Sequence, residues 1–156
     1  MRVVFFSPAY PPEMQQYTRG LAEVGASVYG VGDSAPGSLA PDLKRHLAGY
    51  LQVPRIMDED DVMDRVSTWL RGREIDRVLA NWEPLQLMAA RLRERWRVPG
   101  MSVDATRGFR DKQLMKERVK AAGLRVPHSF RVRSETETRA AAESLAKDGL
   151  SVEVID

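Results

Sequence analysis

Residues 110–116 read Arg-Asp-Lys-Gln-Leu-Met-Lys, and residues 121–127 follow with Ala-Ala-Gly-Leu-Arg-Val-Pro. This order predicts a basic helix from Thr106 to Ala122, then a glycine stop, then a strand near His128–Val132. The pattern differs from that of the residues before it, so we take the stretch as the opening of a second structural unit.

The residues upstream alternate between strand and helix signals. Val3–Phe6 is a continuous apolar run, as expected for a strand that is buried on both faces. Ala26–Val31 and Ile75–Ala80 predict two further strands. This alternation with short connections favours an α/β fold, with an open parallel sheet and helices on both faces. The remaining predicted helices are Met14–Val24, Leu43–Leu47, Val62–Leu70 and Leu85–Trp96, and the remaining predicted strands are Tyr50–Val53 and Val98–Val103.

Two domains are expected, residues 1–103 for the sheet and residues 104–156 for a small, incomplete α+β segment. In the second, Ser134 and Glu137 have the spacing of a capping box, which predicts a helix that starts there and stops at Gly149. Leu150–Ile155 predicts a closing strand. This part is about one third of the chain, which is too small to expect an independent core.

Composition excludes several classes of protein. The 156 residues contain no run of eighteen apolar residues, so no membrane span is predicted. There is no cysteine, which excludes disulfides and thiolate metal sites and fits a cytoplasmic protein. The net charge of +2 does not indicate nucleic-acid binding.

Two loops at predicted strand ends carry polar side chains. In open α/β sheets, ligands bind in loops that leave the carboxyl ends of the strands. Ser7 follows the first strand, and Glu83 follows the strand that ends at Ala80. Both are candidates for substrate binding. The structural alternatives are that Glu83 caps a helix and that Ser7 belongs to a turn shaped by its neighbouring prolines.

Lys112 is the candidate for binding a nucleotide. A lysine ammonium is a compact charge on a flexible stem and can reach the phosphates of a bound nucleotide. The alternative is a solvated basic helix face, which most charge runs are, and on the residues alone this alternative is favoured. The neighbouring basic residues are Arg107, Arg110, Lys116, Arg118 and Lys120.

The other candidate motifs carry less. The acidic run at residues 58–61 suits a helix start better than a metal site. His46 and His128 have no acidic or cysteine partner at ligand spacing. Gly30-Val31-Gly32 lacks the third glycine of the dinucleotide-binding motif. We therefore assign no catalytic residue and no metal ligand.

Four blocks of sequence, which together cover nearly all of residues 1–133, carry a family resemblance. They are Val3–Pro8 with Gly30–Asp33, Ile75–Glu83, Arg91–Ser102 and Arg110–Pro127. In their order and spacing they resemble the ATP-grasp superfamily, and above all its carbamoyl-phosphate-synthase-like and biotin-carboxylase-like branch. The resemblance implies a Rossmann-like pre-ATP-grasp domain over residues 1–103 and the beginning of the nucleotide-binding domain over residues 104–156.

The resemblance also implies a chemistry. Enzymes of this family use ATP and Mg²⁺ to phosphorylate a small-molecule carboxylate, and an amine or similar nucleophile then attacks the acyl phosphate. Lys112 matches the family's ATP-contacting lysine on the helix before the Gly-x-x-Val-Pro strand. Loops of the preceding domain help to bind the acceptor in this family, which implies that role for Ser7 and Glu83.

The chain departs from the family after residue 150. Where the family continues into an apolar strand ending Lys-Pro, this sequence has Ser151-Val152-Glu153-Val154-Ile155-Asp156. The second nucleotide lysine, the glycine-rich flap and the Mg²⁺ ligands of the family have no counterpart in the 156 residues. We expect a truncated ATP-grasp ligase that is inactive as this chain alone.

Two alternative functions remain open. Phe5–Glu13 also resembles the opening of two-lobed glycosyltransferases, although Met14-Gln15-Gln16 stand where those enzymes usually have glycines. A non-catalytic interaction domain is the other alternative. A small second part with unpaired strand edges would tend to form a homodimer.

Overall fold

The computed structural model of the chain describes residues 1–147. The chain divides into two compact units, Met1–Arg107 and a second that begins at Gly108. Each unit is described by itself.

The first unit is built on a four-stranded sheet in which all strands run parallel. The order across the sheet is β3-β2-β1-β4, so β1 has a neighbour on each side. Val4 pairs with Tyr29 on one side and with Val78 on the other. The predicted α/β fold with an open parallel sheet is confirmed. The strands are β1 (Arg2–Phe6), β2 (Ser27–Gly32), β3 (Gly49–Gln52) and β4 (Arg77–Leu79).

Helices connect the strands and cover both faces of the sheet. The proline-rich loop after β1 leads into α1, and a 3₁₀ turn, Glu83–Leu85, leads from β4 into α4. A helix between successive parallel strands is the connection that such a sheet requires. The helices of this unit are α1 (Met14–Glu23), α2 (Pro41–His46), α3 (Glu59–Trp69) and α4 (Gln86–Trp96), and α5 (Val103–Arg110) runs across the unit boundary.

Strand β1 supplies the centre of the core on both faces. Successive side chains of a strand point to opposite faces, so Val4 and Phe6 lie on one side, and Val3 and Phe5 lie on the other. All four are fully buried, and each contributes about 1.5–3 kcal/mol to stability. The first pair packs with Val62, Val66, Met88 and Leu92 of α3 and α4, and the second pair packs with Met14 and Leu21 of α1.

The segment after α4 does not form the strand that was predicted for Val98–Val103. Arg97 ends α4 in the left-handed conformation, with φ 56°, and Gly100 has φ 151°, so the backbone cannot stay extended. The Arg93 Nε donates to the carbonyl oxygen of Met101 at 3.1 Å, in the place of a strand partner. The apolar residues of this stretch were mistaken for a strand, and α5 begins at Val103 instead.

The second unit differs from its prediction in two ways. The expected single helix from Thr106 to Ala122 is broken, and α6 (Lys112–Ala121) starts anew after Asp111. The Asp111 carboxylate accepts hydrogen bonds from the amides of Gln113 and Leu114, at 2.9 and 3.1 Å, which is the geometry of a helix N-cap. The extended backbone of Asp111 thus separates α6 from α5, which ends at Arg110.

The strand predicted at His128–Val132 is not formed, because a strand needs a ladder partner and residues 108–147 supply none. The closing strand predicted at Leu150–Ile155 lies outside the described residues. Helix α7 (Glu135–Lys147) follows Ser134, whose hydroxyl accepts from the Glu137 amide at 3.2 Å, as the capping box predicts. The Glu137 carboxylate reaches back one residue further than predicted, to the amide of Arg133 at 2.6 Å.

Candidate functional site

The chain reverses its direction of travel across the sheet between β1 and β4. From β1 it moves outward through β2 to β3, and it then returns to place β4 on the other side of β1. Open α/β sheets bind ligands at such a switch point, in the crevice outside the carboxyl ends of the two strands. The loops that leave β1 and β4 there carry Ser7 and Glu83, the two residues predicted to bind substrate.

Ser7 follows strand β1 directly and has a strained conformation. Its φ of 54° lies in the left-handed region, which few residues other than glycine adopt, and its side chain is buried. Its amide donates to the carbonyl oxygen of Val31 at 2.7 Å, which ties the turn to β2. Its hydroxyl donates to the carbonyl oxygen of Tyr10, and the Tyr10 amide donates to the Ser7 carbonyl oxygen at 3.3 Å. Ser7 therefore closes a small turn and fixes the position of Tyr10.

The two loops meet through a pair of aromatic rings. The centroids of Tyr10 and Trp82 are 5.2 Å apart and the rings stand at 83°, the edge-to-face arrangement that aromatic pairs prefer. Trp82 is half-buried against the core, whereas Tyr10 is 55% exposed. Sequence reasoning missed this pair, although one aromatic residue in each strand-end loop was a signal that could have found it.

Glu83 lies at the start of the 3₁₀ turn that leads into α4. Its side chain is exposed at the carboxyl edge of the sheet. The preceding residue, Trp82, holds the cap position and makes no side-chain capping hydrogen bond. A carboxylate in the first turn still complements the helix dipole, so the ligand role and the structural role of Glu83 both stay predictions.

Tyr50 of β3 adds a half-buried phenol to the same edge. The Tyr50 hydroxyl donates to the carbonyl oxygen of Ser34 at 2.8 Å. Burial raises the pKa of Tyr50 to about 12, and the negative charge of Asp33 acts in the same direction. Gly32 leaves the room for this hydroxyl, since a Cβ there would lie 2.8 Å from the Tyr50 oxygen. The loop after β2 is thus locked to β3 and keeps a neutral donor.

Lys112 is the first residue of α6, in the second unit. Asp111 occupies the cap position of that helix, and the Arg131 guanidinium lies 3.1 Å from the Asp111 carboxylate. The Lys112 side chain is exposed and forms no ion pair with another residue of the described chain, 1–147. The structure brings the loops of Ser7 and Glu83 together at one sheet edge, and Lys112 belongs to a separate unit.

The acidic run at residues 58–61 is engaged in ion pairs. Glu59 and Asp60 each accept from Arg91 of α4, at 2.7 Å, and Asp61 pairs with Arg65 at 2.6 Å. The Arg91 contacts join α3 to α4, and the acidic residues place negative charge in the first turn of α3, where it favours the helix dipole. Across residues 1–147, no three carboxylate or histidine side chains gather in a metal-binding group.

Two surface cavities lie away from the predicted residues. One, of about 400 Å³, lies between the ends of α3 and α4 and is lined in part by Leu70, Ile75 and Trp96. The other, of about 390 Å³, borders Arg55 and the acidic residues that follow. Ser7, Glu83 and Lys112 line neither, so the candidate site rests on the sheet topology.

The fold of the chain is similar to parts of several proteins of known structure. Over 93% of its length the chain is similar to L-amino acid ligase from Bacillus licheniformis, with a TM-score of 0.65 and 18% identity. It is similar over 99% of its length to phosphoribosylglycinamide synthetase from Anaerococcus prevotii, with a TM-score of 0.65 and 17% identity. The biotin carboxylase domain of a single-chain bacterial carboxylase matches 95% of the chain, with a TM-score of 0.65 and 20% identity.

These three structures are ATP-grasp ligases. The chain shares the fold of part of each of these ligases. The family resemblance of the four sequence blocks is thereby confirmed at the level of the fold. The chain spans 42%, 37% and 34% of the lengths of the three structures, so it corresponds to less than half of each ATP-grasp protein. No model of a protein family matches the sequence, and no curated protein matches it either.

No helix within residues 1–147 is both long enough and apolar enough to cross a bilayer.

Proposed function

We propose that the chain is the front portion of an ATP-grasp ligase, which activates a small-molecule carboxylate as an acyl phosphate for attack by an amine or similar nucleophile. One observation carries the proposal: 93–99% of the chain superposes on three such ligases at a TM-score of 0.65. The candidate site adds support, because the loops that carry Ser7 and Glu83 flank the switch point of the sheet.

In this proposal Lys112 contacts the phosphates of ATP. Its ammonium is exposed at the beginning of α6. The Asp111 carboxylate caps this helix and already accepts from the amides of Gln113 and Leu114, so the side chain of Lys112, and not the helix end, is the group that would meet a phosphate. The residues that the structure describes do not form a Mg²⁺ site, and we assign no step to the metal.

Binding of ATP tests the role of Lys112. Calorimetry would compare the chain with its Lys112→Ala and Lys120→Ala variants, which remove the same charge from the same helix. Loss of a charge-assisted contact should weaken ATP binding about tenfold in Lys112→Ala. Lys120→Ala should stay within about twofold, since it removes only distant charge. Equal weakening in both variants would reduce Lys112 to part of a solvated basic face.

We also propose that the isolated 156 residues do not catalyse ligation, because they correspond to 34–42% of the ligases that they match. Hydroxylamine trapping of acyl phosphate, with ATP, Mg²⁺ and a mixture of small carboxylates, provides the test. No hydroxamate is expected from the chain alone. Steady hydroxamate formation that stops in Lys112→Ala would show that the chain is a complete catalyst.

We propose that the protein works in the cytoplasm, where ATP is available and where a chain without cysteine needs no disulfide.

A homodimer is the assembly that we propose for the isolated chain. Phe109, Leu124 and Phe130 of the second unit are more than half exposed, and such apolar surface favours self-association. Light scattering would measure the mass of the particle across a dilution of about a hundredfold, which is enough to dissociate a weak dimer. The mass should fall towards 17.6 kDa, the mass of one chain. A constant monomer mass excludes the dimer.

A further inference from the structure

We propose that Tyr10 and Trp82 form a specificity element that selects substrates bearing an aromatic ring. The inference rests on the proposed function, which places the carboxylate substrate or its amine acceptor at the carboxyl edge of the sheet. It adds the chemical class of the substrate, since the side chains at this edge recognise a flat apolar group.

The position of the pair is the first argument. Tyr10 belongs to the loop after β1 and Trp82 to the loop after β4, and these two strands flank the switch point. Their rings make the contact that joins the two loops, at 5.2 Å between centroids. A group bound in the crevice at this point must therefore lie beside aromatic side chains.

The second argument is that Tyr10 is held in place although it is exposed. An exposed loop side chain ordinarily moves freely, and ordering it has an entropic cost. Here the carbonyl oxygen of Tyr10 accepts a hydrogen bond from the Ser7 hydroxyl, and the Tyr10 amide donates one to the Ser7 carbonyl oxygen. Ser7 itself adopts a left-handed conformation, and strain of this kind concentrates at ligand-binding sites. These bonds order the backbone at Tyr10, and the edge-to-face contact with Trp82 restrains its ring, so part of the ordering cost is met before any ligand arrives.

The third argument is that the two rings differ in burial and can therefore have different roles. Trp82 packs against the buried core and gives the pair a fixed base. More than half of the Tyr10 surface stays open to solvent, 55%, and is available for contact with a ligand ring. Aromatic side chains recognise other rings through edge-to-face or offset stacking, and the Tyr10 hydroxyl adds a donor at the rim.

A second exposed tyrosine provides the matched control. Tyr17 is 52% exposed on α1, and it forms no ring pair with another aromatic residue of the described chain. Tyr10→Ala and Tyr17→Ala therefore remove the same side chain from equally exposed positions. Tyr10→Phe keeps the ring and removes only the hydroxyl.

The experiment measures binding of L-phenylalanine and L-alanine, each of which offers a carboxylate and an amine, and differs from the other by a phenyl ring. Indole NMR signals of the three tryptophans, with the Trp82 signal assigned through Trp82→Phe, report binding and its location. The chain should bind L-phenylalanine about tenfold more tightly than L-alanine and shift the Trp82 signal. Tyr10→Ala should abolish the preference, while Tyr17→Ala and Tyr10→Phe keep it.

Equal affinity for both amino acids in the unaltered chain, or the same loss in Tyr17→Ala as in Tyr10→Ala, overturns the inference. Thermal unfolding of each variant shows that the folded state is being compared. The readout needs no nucleotide, so it separates the two proposals. If the ring preference is absent while Lys112→Ala still weakens ATP binding, only the specificity element is disproved. If the ring preference is present while Lys112→Ala leaves ATP binding unchanged, the aromatic pair remains a binding site and the nucleotide role of Lys112 is disproved.

Discussion

The Arg93 guanidinium of α4 donates a hydrogen bond of 3.0 Å to the carbonyl oxygen of Val78 in strand β4. Arg93 is a buried charge without a carboxylate partner among residues 1–147, and desolvation lowers its pKa. Its Nε donates a hydrogen bond to the carbonyl oxygen of Met101, and its Nη2 is buried without a hydrogen-bond partner in the described chain. Gly100 passes so close that a Cβ there would lie 2.5 Å from the Arg93 Cδ. One side chain thus ties the helix, the sheet and the segment that follows the helix together.

Replacing Arg93 by alanine should lower the free energy of unfolding by about 2–4 kcal/mol, because it removes two hydrogen bonds and leaves a cavity. Arg93→Met should cost less, since methionine fills the space and removes the unsatisfied buried nitrogen. Urea denaturation measures both. Arg95→Ala is the control, because its ion pair with Asp64 is largely exposed and worth less than about 1 kcal/mol. A loss in Arg93→Ala no larger than that in Arg95→Ala would contradict the structural role.

Ser7 should prefer glycine to alanine as a replacement. Its φ of 54° strains any residue with a Cβ, so Ser7→Gly loses the hydroxyl hydrogen bond but relieves the strain. Ser7→Ala loses the same bond and keeps the strain. The glycine variant should be more stable than the alanine variant by about 1 kcal/mol, measured as the difference in unfolding free energy. The opposite order would mean that the backbone relaxes out of the left-handed region.

Gly32→Ala should destabilise the fold by about 1–3 kcal/mol, since its new methyl group would meet the Tyr50 hydroxyl oxygen at 2.8 Å. Gly37→Ala, which points into open space, should stay within about 0.5 kcal/mol of the parent. Tyr50→Phe removes the obstructing oxygen. The double variant should therefore lose less than the sum of the single variants, and an additive result would disprove the contact.

Tyr50 should titrate late in alkaline solution. Its pKa is raised to about 12 in the fold, so the protonated phenol contributes stability that is fully present below the unfolded value of about 10. That contribution is lost as the pH rises through the folded pKa. Tyrosinate absorbance should show a step near pH 12 that is missing from Tyr50→Phe. A step that persists in this variant belongs to another tyrosine.

Helix α6 should lose its first turn in acid. The amide of Leu114, followed by the Arg131 guanidinium and the amide of Gln113, lowers the pKa of Asp111. A lowered folded pKa stabilises the fold above the unfolded value of about 3.9, and the effect disappears as the pH falls through the folded pKa. Amide exchange of Gln113 and Leu114 should therefore accelerate below that pH. Asp111→Asn caps without titrating and should remove this pH dependence.

The sheet could be predicted because its strands have an unambiguous local signal. Val3–Phe6 is apolar at every position, and its β-branched and aromatic residues before Ser7-Pro8 favour a strand buried on both faces. The failures came where a single side chain decides the backbone. Asp111 caps a new helix within a sequence that helix propensity alone would keep as one helix. Arg93 donates a hydrogen bond to the carbonyl oxygen of Met101, in a stretch whose sequence otherwise resembles a strand. The segment at residues 128–132 has a strand-like sequence, but pairing is a property of two segments.

The candidate site was predictable in part. Knowing that loops follow strand ends was enough to select Ser7 and Glu83, but the order β3-β2-β1-β4 was needed to bring their loops together. An aromatic residue in each strand-end loop was visible in the sequence, but the order of the strands was needed to show that Tyr10 and Trp82 are in contact. The roles of Ser7, Glu83 and Lys112 stay predictions that the binding experiments test.

The central place of β1 has a consequence for synthesis on the ribosome. One neighbour of this strand, β2, is complete at Gly32, but the other, β4, is complete only at Leu79. At roughly 5–20 residues per second, the Val-Val-Phe-Phe run waits several seconds without its second neighbour. During that interval one edge of β1 is unpaired, and Val4 and Phe6 also lack the cover of α4, which ends only at Trp96. Apolar surface exposed in this way during synthesis favours aggregation, which chaperones counter.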